Sequence, residues 1–464
     1  DYPLHLFSHL RQGESAENAV KRIWRTLRLG VITTCIGYLV LITTDFTGLQ
    51  QLGVFTIAGL FAAALISRLI LPILISKHTQ VVRFTGSRRL SWLLRPATVI
   101  SRLILVMGLV IAISLFFTPT SIWQDDIGAL TPTSPDIIAL DREIRGQLRA
   151  PEPHQLVIIN GLDLETTLQR SERLNGLLQT LVDQDAIGGF DLASRYLPSI
   201  RTQQDRRTAL PTREVMESRL SAALEDLPFN EDSFSAFISS LDESRQLAPL
   251  TYHDLANTPP GMRLKALLRE REGGWLLMTP LSQVEDGAAV AELLEKQLPS
   301  AQYLNLRTET SSLVAGFRHQ IMQRLAIGVL VMLLVLGIGL KSLKRALQTM
   351  LPVILAILLT TGMLYWTGIS LTLFHLVSLM LVLGIGLDYS LFFGRNEEDI
   401  EDRTLTLHAL LICALSTSMV FGILGSSDIP VLQAIGQTVA LGVIISFITT
   451  FALTRNWTNI QTTG

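Results

Sequence analysis

Long apolar runs alternate with polar segments along most of the chain. A helix that crosses a membrane needs about 20 predominantly apolar residues, so the pattern predicts eight membrane spans. A further apolar stretch at 1–10 has the pattern of the end of a ninth span. The eight runs lie near 29–44, 52–75, 98–118, 321–340, 346–366, 370–393, 405–424 and 431–453.

Among the short connections between these runs, Lys and Arg residues fall in alternate ones. Lys and Arg cluster in 11–28, 77–97 and 341–345, whereas the connections that contain neither are 45–51, 367–369 and 425–430. Because cytoplasmic loops of membrane proteins are enriched in Lys and Arg, the basic side is predicted to be cytoplasmic. The long polar segment between the third and fourth runs then falls on the opposite side, which in a Gram-negative inner membrane is the periplasm.

The polar segment at 119–319 has the length of a domain rather than of a loop. Its pattern is α/β, and two strand–helix–strand units on either side of a helical insert are typical of a split βαβ arrangement. Asp125 and Asp126, near its start, are expected to be solvated. The predicted elements are strands at 154–159, 187–192, 275–279 and 302–306, helices at 164–184 and 286–298, and a charged helical stretch at 211–270.

The composition supports a membrane protein with a sizeable water-soluble part. Hydrophobic residues make up 48% of the chain and charged residues 17%, against about 25% charged residues in soluble domains. A net charge of −2 argues against a nucleic-acid partner, which would require a basic face. Cys35 and Cys413 both lie in apolar runs, so no disulfide framework is expected in the polar segment.

The three spans at the start of the chain resemble the three at its end, and internal repeats of this kind are typical of transporters. Since three spans and a polar segment precede the second copy, the first copy is expected to have had the same. We therefore interpret the chain as the C-terminal portion of a longer protein, beginning inside a helix. The matches are Asp1-Tyr2-Pro3-Leu4 with Asp388-Tyr389-Ser390-Leu391 and, at one constant offset, Thr33-Thr34 with Ser416-Thr417 and Asp45, Leu49, Gln50, Gly53 and Gly59 with Asp428, Leu432, Gln433, Gly436 and Gly442.

The candidate chemistry lies in the run that begins near Ser370. The sequence Gly384-Ile385-Gly386-Leu387-Asp388-Tyr389 places a carboxyl group about five turns into a membrane helix. A charged side chain at such a depth costs about 2.5–3.5 kcal/mol on insertion scales, so an intramembrane acid is a functional-site hypothesis by default. An Asp there can load and release a proton, and Tyr389 can donate a hydrogen bond beside it.

Asp1 and Tyr2 supply the same pair from the other repeat, and two pairs facing each other would titrate as a unit. The predicted proton relay is therefore Asp388, Tyr389, Asp1 and Tyr2. The alternative is that the acid only fixes helix packing, and membrane helices also use Ser and Thr as ordinary interface residues. Supporting roles, in close helix approach or in hydrogen bonds across the bundle, are predicted for Gly384, Gly386, Ser416, Thr417, Thr33 and Thr34.

Other kinds of chemistry find little support in the sequence. No phosphate-binding P-loop sequence is present, so a proton gradient rather than ATP is the expected energy source, and no cofactor is expected. The polar segment contains no recognisable nucleophile–base set, and no metal-ligand set is recognisable in the chain. We therefore expect a secondary active transporter without catalytic residues, rather than an enzyme.

The glycine-rich helix ending in Asp388-Tyr389, with its counterpart at Asp1-Tyr2, resembles the MMPL branch of the resistance-nodulation-division (RND) superfamily. The resemblance implies a mostly α membrane protein: helices 4–12 of a twelve-helix bundle, with an α/β, ferredoxin-like periplasmic porter domain. In that family the paired Asp and Tyr residues form the proton relay. The implied layout is helices 4–6 at 1–78, an amphipathic cytoplasmic linker at 79–97, helix 7 at 98–118, the porter domain at 119–319 and helices 8–12 at 320–457.

The function predicted from the resemblance is proton-driven export of a lipid or other hydrophobic molecule across a bacterial inner membrane. The expected partners are membrane lipids, the hydrophobic substrate, the missing N-terminal half of the protein and a periplasmic carrier. One alternative is a different transport task on the same fold, such as assistance to protein export or efflux of small drugs. The other is a sterol-sensing or receptor-like membrane protein of related topology, without proton dependence.

Overall fold

The computed structural model divides into two compact units. The first comprises Asp1–Pro132 and Thr310–Gly464, and the second comprises Thr133–Glu309. The structure describes all residues except 1, 9, 11–14, 76–97, 118–121, 132, 149–151, 153, 226, 230, 395–399 and 462–464. The predicted linker at 79–97 lies outside the described residues.

The first unit is almost entirely helical. Before the second unit it contains α1 (Tyr2–Ser8), α2 (Ala16–Ile42), α3 (Thr47–Leu69), the short α4 (Leu71–Leu74), α5 (Thr98–Phe116) and a 3-10 turn at Ile127–Leu130. The second unit contributes α6 to α14, described below. The long helices that complete the chain are α15 (Leu306–Leu340), α16 (Leu343–Trp366), α17 (Leu373–Phe393), α18 (Ile400–Gly425) and α19 (Pro430–Gln461).

Seven helices within the described residues are long and apolar enough to cross a membrane. They are α2, α3 with its continuation α4, and α15 to α19; the remaining predicted span, α5, is a shorter apolar helix. The eight apolar runs therefore correspond to helices, and the chain is a multi-pass membrane protein. The second unit is shorter than the polar segment at 119–319. Residues 122–131 belong to the first unit, and α15 crosses the boundary between the units at Thr310.

Helix α17 occupies the centre of the first unit. It is apolar all round, as expected of a helix surrounded by others, and most of its residues are buried. It starts with a capping box in which Thr372 and His375 satisfy each other's backbone donors, which fixes where the first turn begins. Its neighbours are α2, α16, α18 and α19, while α1 contacts α18. The two helices that carry the Asp-Tyr sequences thus each contact the second helix of the other repeat.

The second unit is built around an antiparallel sheet. Its strands are β1 (Gln155–Gly161), β2 (Gly189–Phe190), β3 (Leu268–Arg271), β4 (Gly274–Ser282) and β5 (Ala301–Asn305). The order is β2-β4-β1-β5, and β3 pairs with β4 as a hairpin. Its helices are α6 (Pro135–Leu148), α7 (Leu164–Asp183), α8 (Ala193–Tyr196), α9 (Ile200–Ala209), α10 (Arg213–Leu224), α11 (Ser235–Gln246), α12 (Tyr252–Leu255), α13 (Pro259–Leu267) and α14 (Gly287–Gln297).

The sheet order is that of a ferredoxin-like split βαβ fold. In β1, Val157 and Ile159 point into a core shared with Leu168 and Leu178 of α7 and Val290 of α14, following the two-residue alternation of a strand. The register Val157↔Thr279 and Val157↔Tyr303 places β1 between β4 and β5. The predicted strand–helix–strand units are confirmed. The strand β3 was not predicted, because it lies in the stretch at 211–270 that favours helix.

Two glutamates of α7 fix the start of the helical insert. Glu165 accepts hydrogen bonds from the backbone amides of Ile200 and Arg201 at 2.7 and 3.2 Å. Glu172 accepts from the amide and the hydroxyl of Ser199 at 2.8 and 2.9 Å. The amides at the start of α9 have no partners within the helix, and carboxylates are the acceptors that the helix dipole favours there. The two glutamates therefore hold the insert against α7.

We expect Glu165→Ala to speed amide hydrogen exchange at Ile200 and Arg201, because removal of a charged acceptor costs about 1.5–3 kcal/mol locally. Burial raises the pKa of Glu165, but hydrogen bonds from Gln169, Ile200 and Arg201 outweigh it, so the pKa lies below its ordinary value. This stabilisation is present above the ordinary pKa and is lost as the pH falls through the lowered one. Hydrogen exchange measured by mass spectrometry at several pH values checks both points.

The matched control is Glu214→Ala, which removes an exposed glutamate from the first turn of α10. It should leave exchange at 199–203 unchanged. Equal protection of Ile200 and Arg201 in the Glu165 variant and the wild type would contradict the assignment.

Candidate functional site

Asp388 projects from α17 towards α2. A Cβ atom added at Gly30 of α2 would overlap its Oδ1 atom, so the carboxyl group occupies the space left by the missing side chain. One turn away, a Cβ at Gly384 would lie 2.9 Å from Cγ2 of Thr34. The two helices therefore meet through two complementary contacts, with a glycine of each helix opposite a polar side chain of the other. Small residues permit such close approach between membrane helices.

Three buried hydroxyl groups lie in the neighbourhood of this carboxyl group. The phenols of Tyr2 and Tyr389 both lie within electrostatic range of Asp388, and Thr34 lies one helical turn from Gly30. Among the described residues, none offers a hydrogen-bond partner to the side-chain oxygen of Tyr2, Tyr389 or Thr34. Burial of a hydroxyl without a partner is costly. Three such hydroxyls lie near one carboxyl group, so each of them is available to bind a proton or a water molecule.

Tyr2, Asp388 and Tyr389 lie near one another in the structure, and the two tyrosines pack against different helices. Tyr2 packs among Ile23, Leu27 and Val31 of α2. Tyr389 packs with Cys413 of α18 and stacks edge-on against Phe447 of α19, with ring centroids 6.3 Å apart. Asp1, the predicted second carboxyl group, lies outside the described residues.

The two glycines before Asp388 serve opposite faces of α17. Gly384 faces Thr34 of α2, whereas a Cβ at Gly386 would lie 2.9 Å from Cγ1 of Val353 and would overlap Oγ of Ser446. Residues two apart on a helix point about 200° apart, so the spacing lets α2 approach on one side and α16 with α19 on the other. Both positions thus take part in the close packing around Asp388.

The predicted supporting hydroxyls differ in their environment. Thr33 is buried and donates to the carbonyl oxygens of Leu29 and Gly30 at 3.0 and 2.9 Å, which satisfies it within its own helix. Thr34 is the one of this pair that faces α17. In the other repeat, Ser416 is exposed and Thr417 is partly buried. Within the part of the chain that the structure describes, only Thr34 of these four is placed beside the Gly384–Asp388 segment.

Sequence reasoning missed two neighbours of the pair. Gly30 carries no chemistry of its own, and its role appears only because Asp388 fills its space. Cys413 packs against Tyr389, but in the sequence it is only one residue of an apolar run. One signal connects them: the repeat offset that aligns Thr33 with Ser416 also aligns Gly30 with Cys413. The two repeats therefore differ at the position that faces the Asp-Tyr helix.

The groups in this arrangement are chemically able to exchange protons. A carboxyl group can bind and release a proton, and the hydroxyls of Tyr2, Tyr389 and Thr34 can each act as donor or acceptor. A change in the protonation of Asp388 would therefore alter its interactions with α1, α2 and the rest of α17 together.

No protein-family model matches this chain, and no curated protein sequence matches it. Comparison with solved structures does give matches. A heavy metal efflux pump aligns with a TM-score of 0.54 at 13% identity, over 99% of this chain and 60% of the pump. The hedgehog release protein Disp from the water bear Hypsibius dujardini aligns with a TM-score of 0.51 at 11% identity, over 96% of this chain and 59% of Disp.

A third match is SecDF, a translocon-associated membrane protein from Thermus thermophilus, with a TM-score of 0.48 at 11% identity over 52% of its length. The chain thus spans about half to three fifths of the structures that it resembles. The fold assignment depends on the first two matches and on the ferredoxin-like sheet. The chain therefore has the fold shared by these two structures, the RND-type helical bundle with a small sheet domain that the sequence predicted.

Proposed function

We propose that this protein is a proton-driven exporter of a lipid or other hydrophobic molecule, working in a bacterial inner membrane. The observation that carries the proposal is Asp388 inside the helix bundle, with three buried, available hydroxyls around it. Intramembrane acids are costly and usually functional. One proton that moves down a potential of 100 mV releases about 2.3 kcal/mol, which is enough to shift a two-state equilibrium between helix arrangements.

The fold supports a transport role. The two structures with TM-scores above 0.5 are named as an efflux pump and a release protein, and both have the architecture found here. The proposal of a hydrophobic cargo follows from the resemblance of the Asp-Tyr helices to the MMPL branch. Because the chain spans about three fifths of those two structures, the proposed exporter includes an N-terminal half. A periplasmic carrier that receives the cargo completes the proposal.

The proposed transport cycle depends on the contact between α2 and α17. When Asp388 is ionised, its carboxylate accepts hydrogen bonds from hydroxyls such as those of Tyr2 and Thr34. When it takes up a proton from outside, it becomes a donor, and these hydroxyls must turn to accept. The two states favour different placements of α17 against α2. Release of the proton to the cytoplasm resets the site, and α17 alternates between the two placements as the second unit releases its cargo.

We expect Asp388→Asn to abolish proton uptake, because the amide keeps the shape of the side chain but cannot bind a proton near neutral pH. The measurement uses the full-length protein in vesicles with an imposed pH gradient, a trapped pH-sensitive dye and a fluorescently labelled fatty acid as the cargo probe. Both proton uptake and probe movement should fall to the level of empty vesicles. Proton uptake at the wild-type rate in a variant that inserts normally would rule out the relay.

We expect Gly30→Ala to reduce proton uptake at least 10-fold, since the added methyl group takes the space that the Asp388 carboxyl occupies. A matched control exists on α15, where a Cβ at Gly337 meets no atom within 4 Å. Gly337→Ala should leave the rate of uptake within about twofold of the wild type, since it gains helix propensity without a clash. An equal loss in both variants would show a general effect of alanine on the bundle instead.

A further inference from the structure

An ion pair lies beside the segment that contacts the start of α17, far from Asp388 in sequence. Arg318 of α15 donates from Nε and from Nη2 to the two carboxylate oxygens of Asp125, both at 2.9 Å. Each side chain is only 19% exposed. The guanidinium group also lies over the ring of Trp123, 5.0 Å from its centroid. Asp125 is therefore not a solvated residue at the domain entrance, because a bidentate pair with an aromatic backing has fixed geometry.

The segment that carries Asp125 is joined to α17. Trp123 forms a parallel bridge with Leu371, in which Gln124 donates its amide to the Leu371 carbonyl at 2.7 Å. Leu371 in turn donates to the carbonyl of Ile122 at 2.8 Å. Leu371 immediately precedes Thr372, the N-cap of α17. The Trp123 ring also packs in a cluster with Leu373 and Leu376 of the first turn.

The cluster of Asp125, Arg318 and Trp123 lies next to both connections between the first and the second unit in the chain. Residues 122–131 lead directly into the second unit, which begins at Thr133, and α15 is the helix in which the second unit ends, at Glu309. Asp125 and Arg318 therefore tie together the segments by which the chain enters and leaves the second unit. Both segments are attached through Trp123 and Leu371 to the start of the helix that carries Asp388. The 16 residues from Thr372 to Asp388 correspond to about 24 Å of one rigid helix.

We propose that Asp125 and Arg318 form a coupling clamp. The clamp passes a displacement of α17, caused by protonation of Asp388, to the two connections of the second unit. This inference rests on the proposed function. Asp125 and Arg318 are positioning residues, since they act through Trp123 and Leu371. A rigid helix transmits an axial displacement with little loss. The bridge between Trp123 and Leu371 passes it to 122–125, and the partly buried bidentate pair, whose geometry is fixed, passes it on to α15.

The test separates proton uptake from cargo movement in the full-length protein, with the same dye and labelled fatty acid in vesicles. Arg318→Met keeps the length of the side chain and removes its charge and its hydrogen bonds. We expect proton uptake within about twofold of the wild type but fatty-acid movement at least 10-fold slower. The exchanged pair, Asp125→Arg with Arg318→Asp, should recover at least part of the movement. The control Lys296→Met, which removes an exposed ion pair with Glu292 on α14, should change neither rate.

Two results would overturn the clamp: fatty-acid movement at the wild-type rate in Arg318→Met, or equal losses of proton uptake and movement. A second measurement does not depend on the cargo. Deuterium uptake of 122–131 should differ between pH 5.5 and pH 8.0 in the wild type, and this difference should vanish in Arg318→Met. If it persists, the clamp is wrong whatever the cargo is. Failure of the proposed function is distinguishable, because Asp388→Asn would then leave proton uptake intact.

Discussion

The contact between α2 and α17 is the constraint on which the rest of the first unit depends. Gly30 has no side chain, so Asp388 can lie between the helices, and the absence of a side chain at Gly384 makes room for Thr34 in the same way. The glycines bring the two backbones close, which buries a carboxyl group where it is costly. Tight packing and polar chemistry are thus produced by the same residues. A change that relaxes the packing would also hydrate the acid.

The cluster around Trp123 complements this contact. The α2–α17 interface places Asp388 near the C-terminal end of α17, and the bridge to Leu371 attaches the N-terminal end of α17 to a neighbouring chain segment. A helix fixed at one end by hydrogen bonds and at the other by close glycine contacts has few ways to move other than as a rigid body. This restriction is consistent with alternating helix arrangements, in which packed elements switch between discrete states rather than deform.

Much of the fold could be predicted from the sequence, because the signals were long or repeated. Apolar runs longer than 18 residues leave little choice but a membrane helix, and the β1–α7–β2 and β4–α14–β5 patterns alternate clearly. Contacts between distant segments could not be predicted. Nothing in the sequence indicates that Asp125 pairs with Arg318, 193 residues away, or that Gly30 faces Asp388. The sequence predicts that an aspartate at a domain entrance is solvated, because its partner cannot be identified from the sequence. The role of a glycine such as Gly30 is visible only when the structure shows which side chain occupies the space beside it.

The boundary between the two units has a consequence for any attempt to exchange them. At its C-terminal end the second unit has no loop, because α15 runs without interruption from Leu306 to Leu340 across Thr310. Each residue inserted into a helix turns everything beyond it by about 100° and shifts it by about 1.5 Å. A foreign domain grafted there would have to match α15 in phase as well as in position. Otherwise the grafted domain would be rotated about the axis of α15, so helical phase limits which domains this scaffold can accept.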